Sequence, residues 1–248
     1  PSQILHPGDV IYLWSDSKHK LRLAQLPRVQ GALVSLNPSD GSVLALIGGF
    51  DFGQSNFNRA TQALRQPGSN IKPFIYSAAL ENGFTAASLV SGAPIVIEDS
   101  ISGDWRPQNY SRKVFGPTRL REALSKSLNL VSVRLVRALG VEAVRDYLEK
   151  FGFDRARLPQ GLSLALGSAT VTPMEIARAY GVFANGGYLV EPFFIARVED
   201  PSGRIVEYAN RQMLCSGCGI PISESSDSSQ PSPDLRFSQQ VVSPQNAF

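Results

Sequence analysis

The run Arg65-Gln-Pro-Gly-Ser-Asn-Ile-Lys-Pro-Phe-Ile-Tyr-Ser-Ala-Ala-Leu80 constrains this chain more than any other segment. Pro67-Gly68 breaks whatever precedes it, and a helix-compatible stretch over residues 74–80 follows at once, so a helix is expected to open at Ser69. Pro73 is tolerated in a first turn, where its missing N–H would have no partner anyway. Asn82-Gly83 supplies the stop. A helix opened there brings Ser69 and Lys72, three residues apart, onto one face, with Cβ atoms about 5–6 Å from each other. A serine hydroxyl is a poor nucleophile until something removes its proton. A lysine stripped of water, and so with a lowered pKa, can be that base. The helix start adds free N–H groups and a positive dipole end, which favour developing negative charge. The plainer reading is a serine that merely caps the helix.

Ser-x-x-Lys is a weak signal by itself. Ser15/Lys18 and Ser17/Lys20 also fit it, in a polar stretch that reads as a solvated hairpin turn. A second element, Ser127-Leu-Asn129, tips the balance toward chemistry. Ser-x-Asn recurs at Ser35-Leu-Asn37, but Ser35 lies within an alternating apolar run and reads as a strand residue. Ser127 instead falls between two helical segments, residues 120–125 and 130–139, where a loop can point polar groups into a cleft. Ser-x-x-Lys followed by Ser-x-Asn is close to the set used by penicillin-binding proteins and class A β-lactamases.

The likeness extends beyond these two elements. Arg65 through Leu80, Trp105-Arg-Pro-Gln-Asn-Tyr110, Gly116-Pro-Thr-Arg-Leu-Arg-Glu-Ala123 through Asn129, and Leu164-Ala-Leu-Gly-Ser-Ala-Thr-Val-Thr-Pro-Met-Glu-Ile-Ala177 resemble, in order, the transpeptidase domain of class A (bifunctional) penicillin-binding proteins. The resemblance implies Ser69 as the acylated nucleophile, Lys72 as its base, and Ser127 and Asn129 as proton relay and substrate clamp. It places Trp105 and Asn109 beside the cleft as substrate-binding residues. It implies peptidoglycan stem peptides as substrates, β-lactams as covalent inhibitors, and neither a metal nor an organic cofactor. The family's third motif, Lys-Thr/Ser-Gly, is missing, since the only lysine after Ser127 is Lys150, in Lys150-Phe-Gly152. The chain is therefore expected to be a fragment, with a C-terminal continuation carrying that motif. A membrane anchor and glycosyltransferase domain are expected outside it, and the site at the periplasmic face of the inner membrane.

Composition narrows the remaining classes. Of 248 residues, 43% are hydrophobic and 18% charged, which is ordinary for a globular protein with a substantial core. A net charge of +3, with basic residues scattered, carries no nucleic-acid signature. No apolar run of about 18 residues exists, so nothing here reads as a membrane span. Two cysteines stand close together, in Cys215-Ser-Gly-Cys218. A zinc site wants about four ligands, and the only histidines, His6 and His19, sit at the far end of the chain. A thioredoxin-like site wants a βαβ setting, whereas this pair precedes a Ser/Pro-rich stretch. A local disulfide is the plainest reading outside the cytoplasm, and two reduced thiols are the alternative.

Residues 1–27 hold two short strand-like runs, 10–14 and 21–26, expected to be the end of a small β insert, OB-like by resemblance. Residues 28–248 are expected to be the N-terminal part of the transpeptidase domain. There, residues 31–47 read as a hairpin about Asn37-Pro-Ser-Asp-Gly41, and residues 188–198 with 205–208 read as a second hairpin. Helices are expected to dominate in between. Thr172-Pro-Met-Glu175 is a capping box with Pro at the first helical position. Residues near 216–240 read as a flexible loop. The fold expected is α+β: an antiparallel sheet covered by helices, with a helical subdomain, in the manner of penicillin-binding proteins and β-lactamases, and incomplete in this chain. The function expected is a D,D-transpeptidase. The alternatives are a D,D-carboxypeptidase, a class A β-lactamase, or, from another class, a non-catalytic β-lactam-sensing or peptidoglycan-binding module. No segment resembles the loop that carries a β-lactamase's deacylating glutamate.

Overall fold

The computed structural model describes residues 5–98, 103–208, 212–214 and 236–248. Its centre is α1, Lys72–Glu81, which follows a 3-10 turn over Gly68–Ile71. From Lys72 to Ala79 only Pro73 escapes full burial, because the helix is apolar all round and other elements pack on every side. Phe74 is the hub. Its ring lies 4.9 Å from that of Phe151, 5.2 Å from Phe153, 5.1 Å from Tyr180 and 5.3 Å from Phe183. Truncating such a fully enclosed ring to alanine costs about 3–5 kcal/mol.

The helices around it are α2, Leu120–Ser125; α3, Asn129–Leu139; α4, Val141–Glu149; α5, Pro173–Ala184; and the short α6, Pro244–Ala247. α5 starts where the capping box puts it. The Thr172 hydroxyl accepts from the Glu175 N–H at 3.2 Å, and the Glu175 carboxylate accepts from the Thr172 N–H at 2.7 Å. Arg157 pairs with the same carboxylate and ties the box to the chain before it.

The strands form two-stranded pieces among the described residues. β1, Tyr12–Ser15, and β2, Leu21–Ala24, make an antiparallel hairpin whose apolar side chains are largely exposed. β3, Leu33–Leu36, pairs with β4, Val43–Ile47, across the expected turn, with a bulge between Ser35 and Leu36. β5, Leu89–Ser91, pairs with β6, Pro117–Arg119. The second expected hairpin needs correction. Only its tip is one: β8, Arg197–Glu199, pairs with β9, Ile205–Tyr208. β7, Tyr188–Leu189, turns away and pairs with β12, Gln239–Gln240. The reason is contact at Gly187, whose carbonyl accepts from the Val241 and Val242 N–H groups at 2.8 and 3.2 Å, while Val242 is buried in the core. A Cβ on Gly187 would lie 2.0 Å from the Val242 oxygen, so only glycine permits this approach. The two short strands β10, Gln212–Met213, and β11, Arg236–Phe237, run parallel. Thus the end of the Ser/Pro-rich stretch holds two short strands, residues 236–237 and 239–240, on either side of Ser238. The rest of it, with Cys215 and Cys218, lies outside the described residues.

Candidate active site

The site is built where α1, the α2–α3 turn and the 105–110 segment meet. Ser69 lies in the 3-10 turn, and its carbonyl accepts from the Lys72 N–H, so the two residues share one helical turn. That turn is fixed from outside. Arg65 and Val171 exchange both backbone hydrogen bonds, at 2.9 and 3.0 Å, and the Gly68 N–H donates to the Gly167 carbonyl at 3.2 Å. Gly167 has φ +74, and a Cβ there would stand 2.0 Å from the Gly68 oxygen. This close approach seats the Ser69 turn on the 162–172 segment. The Ser69 side chain itself faces solvent and makes no hydrogen bond among the described residues.

Lys72 is the opposite case: 1% of it is exposed. Its Nζ donates to the Ser127 carbonyl at 2.7 Å, the Ser127 Oγ at 3.0 Å and the Asn129 Oδ1 at 2.7 Å. Three acceptors match the three hydrogens of an ammonium. None is a carboxylate, so nothing offsets desolvation, and burial lowers the lysine from 10.5 to about 8. Of the three partners only the Ser127 hydroxyl can also donate. When Lys72 is neutral, its lone pair must accept a proton donor, and Ser127 Oγ–H is the partner already in place. The geometry therefore supports a proton path between Nζ and the Ser127 hydroxyl.

Ser127 is held in an unusual way. Its φ is +51, in the left-handed region that favours glycine. The Ser127 N–H donates to the Leu124 carbonyl at 2.9 Å, and the Leu128 N–H to the Ala123 carbonyl at 2.9 Å. This is the Schellman closure of α2, with serine at the position where glycine is usual, and with Leu128 and Ala123 both buried beneath it. Sequence reasoning located Ser127 between helices but missed this. The signal was available in a helix that stops without a glycine.

Asn129 is the first residue of α3 and serves two sides. Its Oδ1 takes the Lys72 hydrogen bond, and its Nδ2 donates to the Gln108 carbonyl at 2.8 Å. Asn109, 5% exposed, turns inward. Its Nδ2 donates to the Lys113 carbonyl at 3.0 Å and its Oδ1 accepts from the Leu130 N–H at 3.3 Å. α3 lacks a capping side chain of its own, so Asn109 satisfies one of its orphan donors from a distant segment. Trp105 is half-buried against the core, and its N–H and carbonyl both pair with Ile97. The structure thus joins Lys72, Ser127 and Asn129 directly. It sets Ser69 on the same turn as Lys72, and uses Asn109 as a brace. The competing Ser-x-x-Lys pairs lie on the exposed β1–β2 turn, where Asp16 accepts from the Lys18 and Lys20 N–H groups. Ser35 lies in β3.

Residues 31–244 match the family described as the penicillin binding protein transpeptidase domain. The chain is 54% identical over 211 residues to Penicillin-binding protein 1A of Pseudomonas aeruginosa, covering 85% of this chain and 26% of that protein. It is 52% identical over 201 residues to Penicillin-binding protein 1A of Escherichia coli, covering 81% and 24%. A crystal structure of Penicillin-Binding Protein 1A from Haemophilus influenzae aligns with a TM-score of 0.85 at 39% identity, covering 96% of this chain and 36% of that one. The chain therefore spans about a quarter of the length of the curated relatives it matches. On fold, site geometry and similarity together, it belongs to the family of penicillin-binding protein transpeptidase domains.

Proposed function

We propose that this chain is the nucleophile-bearing part of a penicillin-sensitive peptidoglycan D,D-transpeptidase, acting at the periplasmic face of the inner membrane. The observation that carries the reading is the buried Lys72 ammonium bound only to Ser127 and Asn129, with Ser69 one helical turn away. Neutral Lys72 takes the Ser69 Oγ proton as Oγ bonds to the carbonyl carbon of the penultimate D-Ala. The resulting oxyanion collapses and the C–N bond to the terminal D-Ala breaks. The leaving amine takes its proton from Ser127 Oγ, which Lys72 replenishes. An amine of a neighbouring stem then attacks the ester, closing the cross-link and freeing Ser69. A β-lactam ring opens by the same first step, leaving Ser69 acylated. Backbone N–H groups, Ser69's own among them, stabilise the oxyanion, each worth typically about 2.7–4 kcal/mol.

This chemistry also needs a grip on the substrate's terminal carboxylate. A continuation of the polypeptide carrying Lys-Thr/Ser-Gly on a strand supplies it, and the same polypeptide carries the membrane anchor and the glycosyltransferase domain. The sheet supports the need for further strands: β3–β4 is only two strands wide among the described residues, with Leu33, Leu44 and Ile47 exposed. Apolar strand side chains exposed in this way call for a covering neighbour. The test is covalent labelling of the full-length polypeptide by a fluorescent penicillin. Ser69→Ala abolishes it while leaving the melting temperature nearly unchanged, and labelling that survives the substitution refutes the assignment. A D,D-carboxypeptidase would pass the acyl group to water in preference to an amine. A non-catalytic β-lactam sensor would label once without turning over stem peptide.

A further inference from the structure

A cavity of about 300 Å³ lies behind the 105–110 segment and plays no part in the chemistry above. Ile95, Val96 and Val114 line it together with the cationic residues Arg106, Arg112 and Lys113. Among the described residues Asp104 pairs only with Arg106, at 3.1 Å in an exposed pair, which neutralises little in water. Arg112 and Lys113 have no acidic partner among the described residues. A volume of this size holds about ten waters, enough for an alkyl chain ending in a carboxylate.

Its position matters as much as its charge. Gln108 and Asn109 both line it. The Gln108 carbonyl accepts from the Asn129 side chain, and Asn109 caps α3. Arg134 donates to the Ala93 and Pro94 carbonyls, at 2.7 and 3.2 Å, and Pro94 lines the cavity too. The cavity is therefore one backbone unit from Asn129, the residue that the family resemblance makes a substrate clamp. The geometry points to a subsite for a carboxylate-bearing side chain of the stem peptide, bound by Arg112 and Lys113 with its alkyl part on Ile95, Val96 and Val114. This rests on the transpeptidase reading. The same chemistry is present on the donor stem and on the acceptor stem.

The test uses the full-length polypeptide and two synthetic stem peptides that differ only in having their side-chain carboxylates free or amidated. Penicillin burst titration counts competent Ser69 in every sample. Single-turnover acylation by the peptides as ester donors reads the donor stem. Partition of the acyl-enzyme between water and the peptides as amines reads the acceptor stem. In one arm the free acid is favoured by about tenfold, the scale of one charge-assisted hydrogen bond. The double variant Arg112→Gln, Lys113→Gln brings that ratio to about one. Equal rates for the two peptides in both arms of the wild type overturn the subsite without any variant. A preference that survives the double substitution overturns it as well. Failure of the wild type to label with penicillin refutes the transpeptidase reading instead. The subsite is then decided by whether the free acid, and not the amide, shifts the NMR signals of Val96 and Val114.

Discussion

The buried lysine makes a sharp demand on pH. Burial, with no carboxylate among its hydrogen-bond partners, brings Lys72 to about 8. At pH 7 about a tenth of the molecules then carry the neutral amine that can take a proton from Ser69. The second-order rate of acylation by penicillin, measured by quenched-flow labelling of the full-length polypeptide, rises about tenfold between pH 6 and 7 and levels off above pH 8. The same burial has a thermodynamic consequence. The folded lysine titrates below the usual 10.5, so between about pH 8 and 10.5 the unfolded chain holds the extra proton. Stability therefore rises with pH across that window, and the full burden of the buried charge, about 3 kcal/mol, is present below pH 8. Lys72→Met keeps the volume and removes the charge. It abolishes acylation and removes this contribution from the stability–pH curve between 8 and 10.5, read by urea unfolding at each pH. Acylation that is flat from pH 6 to 9, or that inflects above 10, refutes the role of desolvation. An unchanged stability curve in Lys72→Met does the same.

Two further outcomes follow from backbone positions. Ser127→Gly relieves the left-handed conformation and is more stable than Ser127→Ala by about 1 kcal/mol, although neither variant turns over stem peptide. Equal melting temperatures for the two would show that the Schellman closure carries no strain. Gly167→Ala drives a Cβ into the Gly68 carbonyl and displaces the nucleophile turn. Penicillin acylation falls by tenfold or more, on the scale of a 1 Å misplacement, and acylation at the wild-type rate would sink the seating role given to Gly167.

Some parts of the molecule were legible because their causes are local. The Thr172–Glu175 box names the first turn of α5, and its hydrogen bonds close within four residues. Pro67-Gly68 ahead of an apolar run marks the start of the Ser69 turn, and Asn37-Pro-Ser-Asp-Gly41 marks the β3–β4 turn. The 188–198 run reads as one arm of a hairpin because it is mostly apolar and aromatic. Its pairing was decided by residues some fifty positions later, which no local pattern records.

The sequence by itself determined which residues share a turn: the i, i+3 spacing puts Ser69 and Lys72 together wherever the helix goes. Only the tertiary structure decided that Lys72 loses its water. That required α1 to be enclosed on every side and the α2–α3 turn to present a carbonyl, a hydroxyl and an amide to its Nζ. It also decided that Asn109 braces α3 from a distant segment. Helical spacing is set by bonds between near neighbours, whereas desolvation and capping across segments depend on which distant surfaces bury one another, and the lowered pKa of Lys72 follows from the latter.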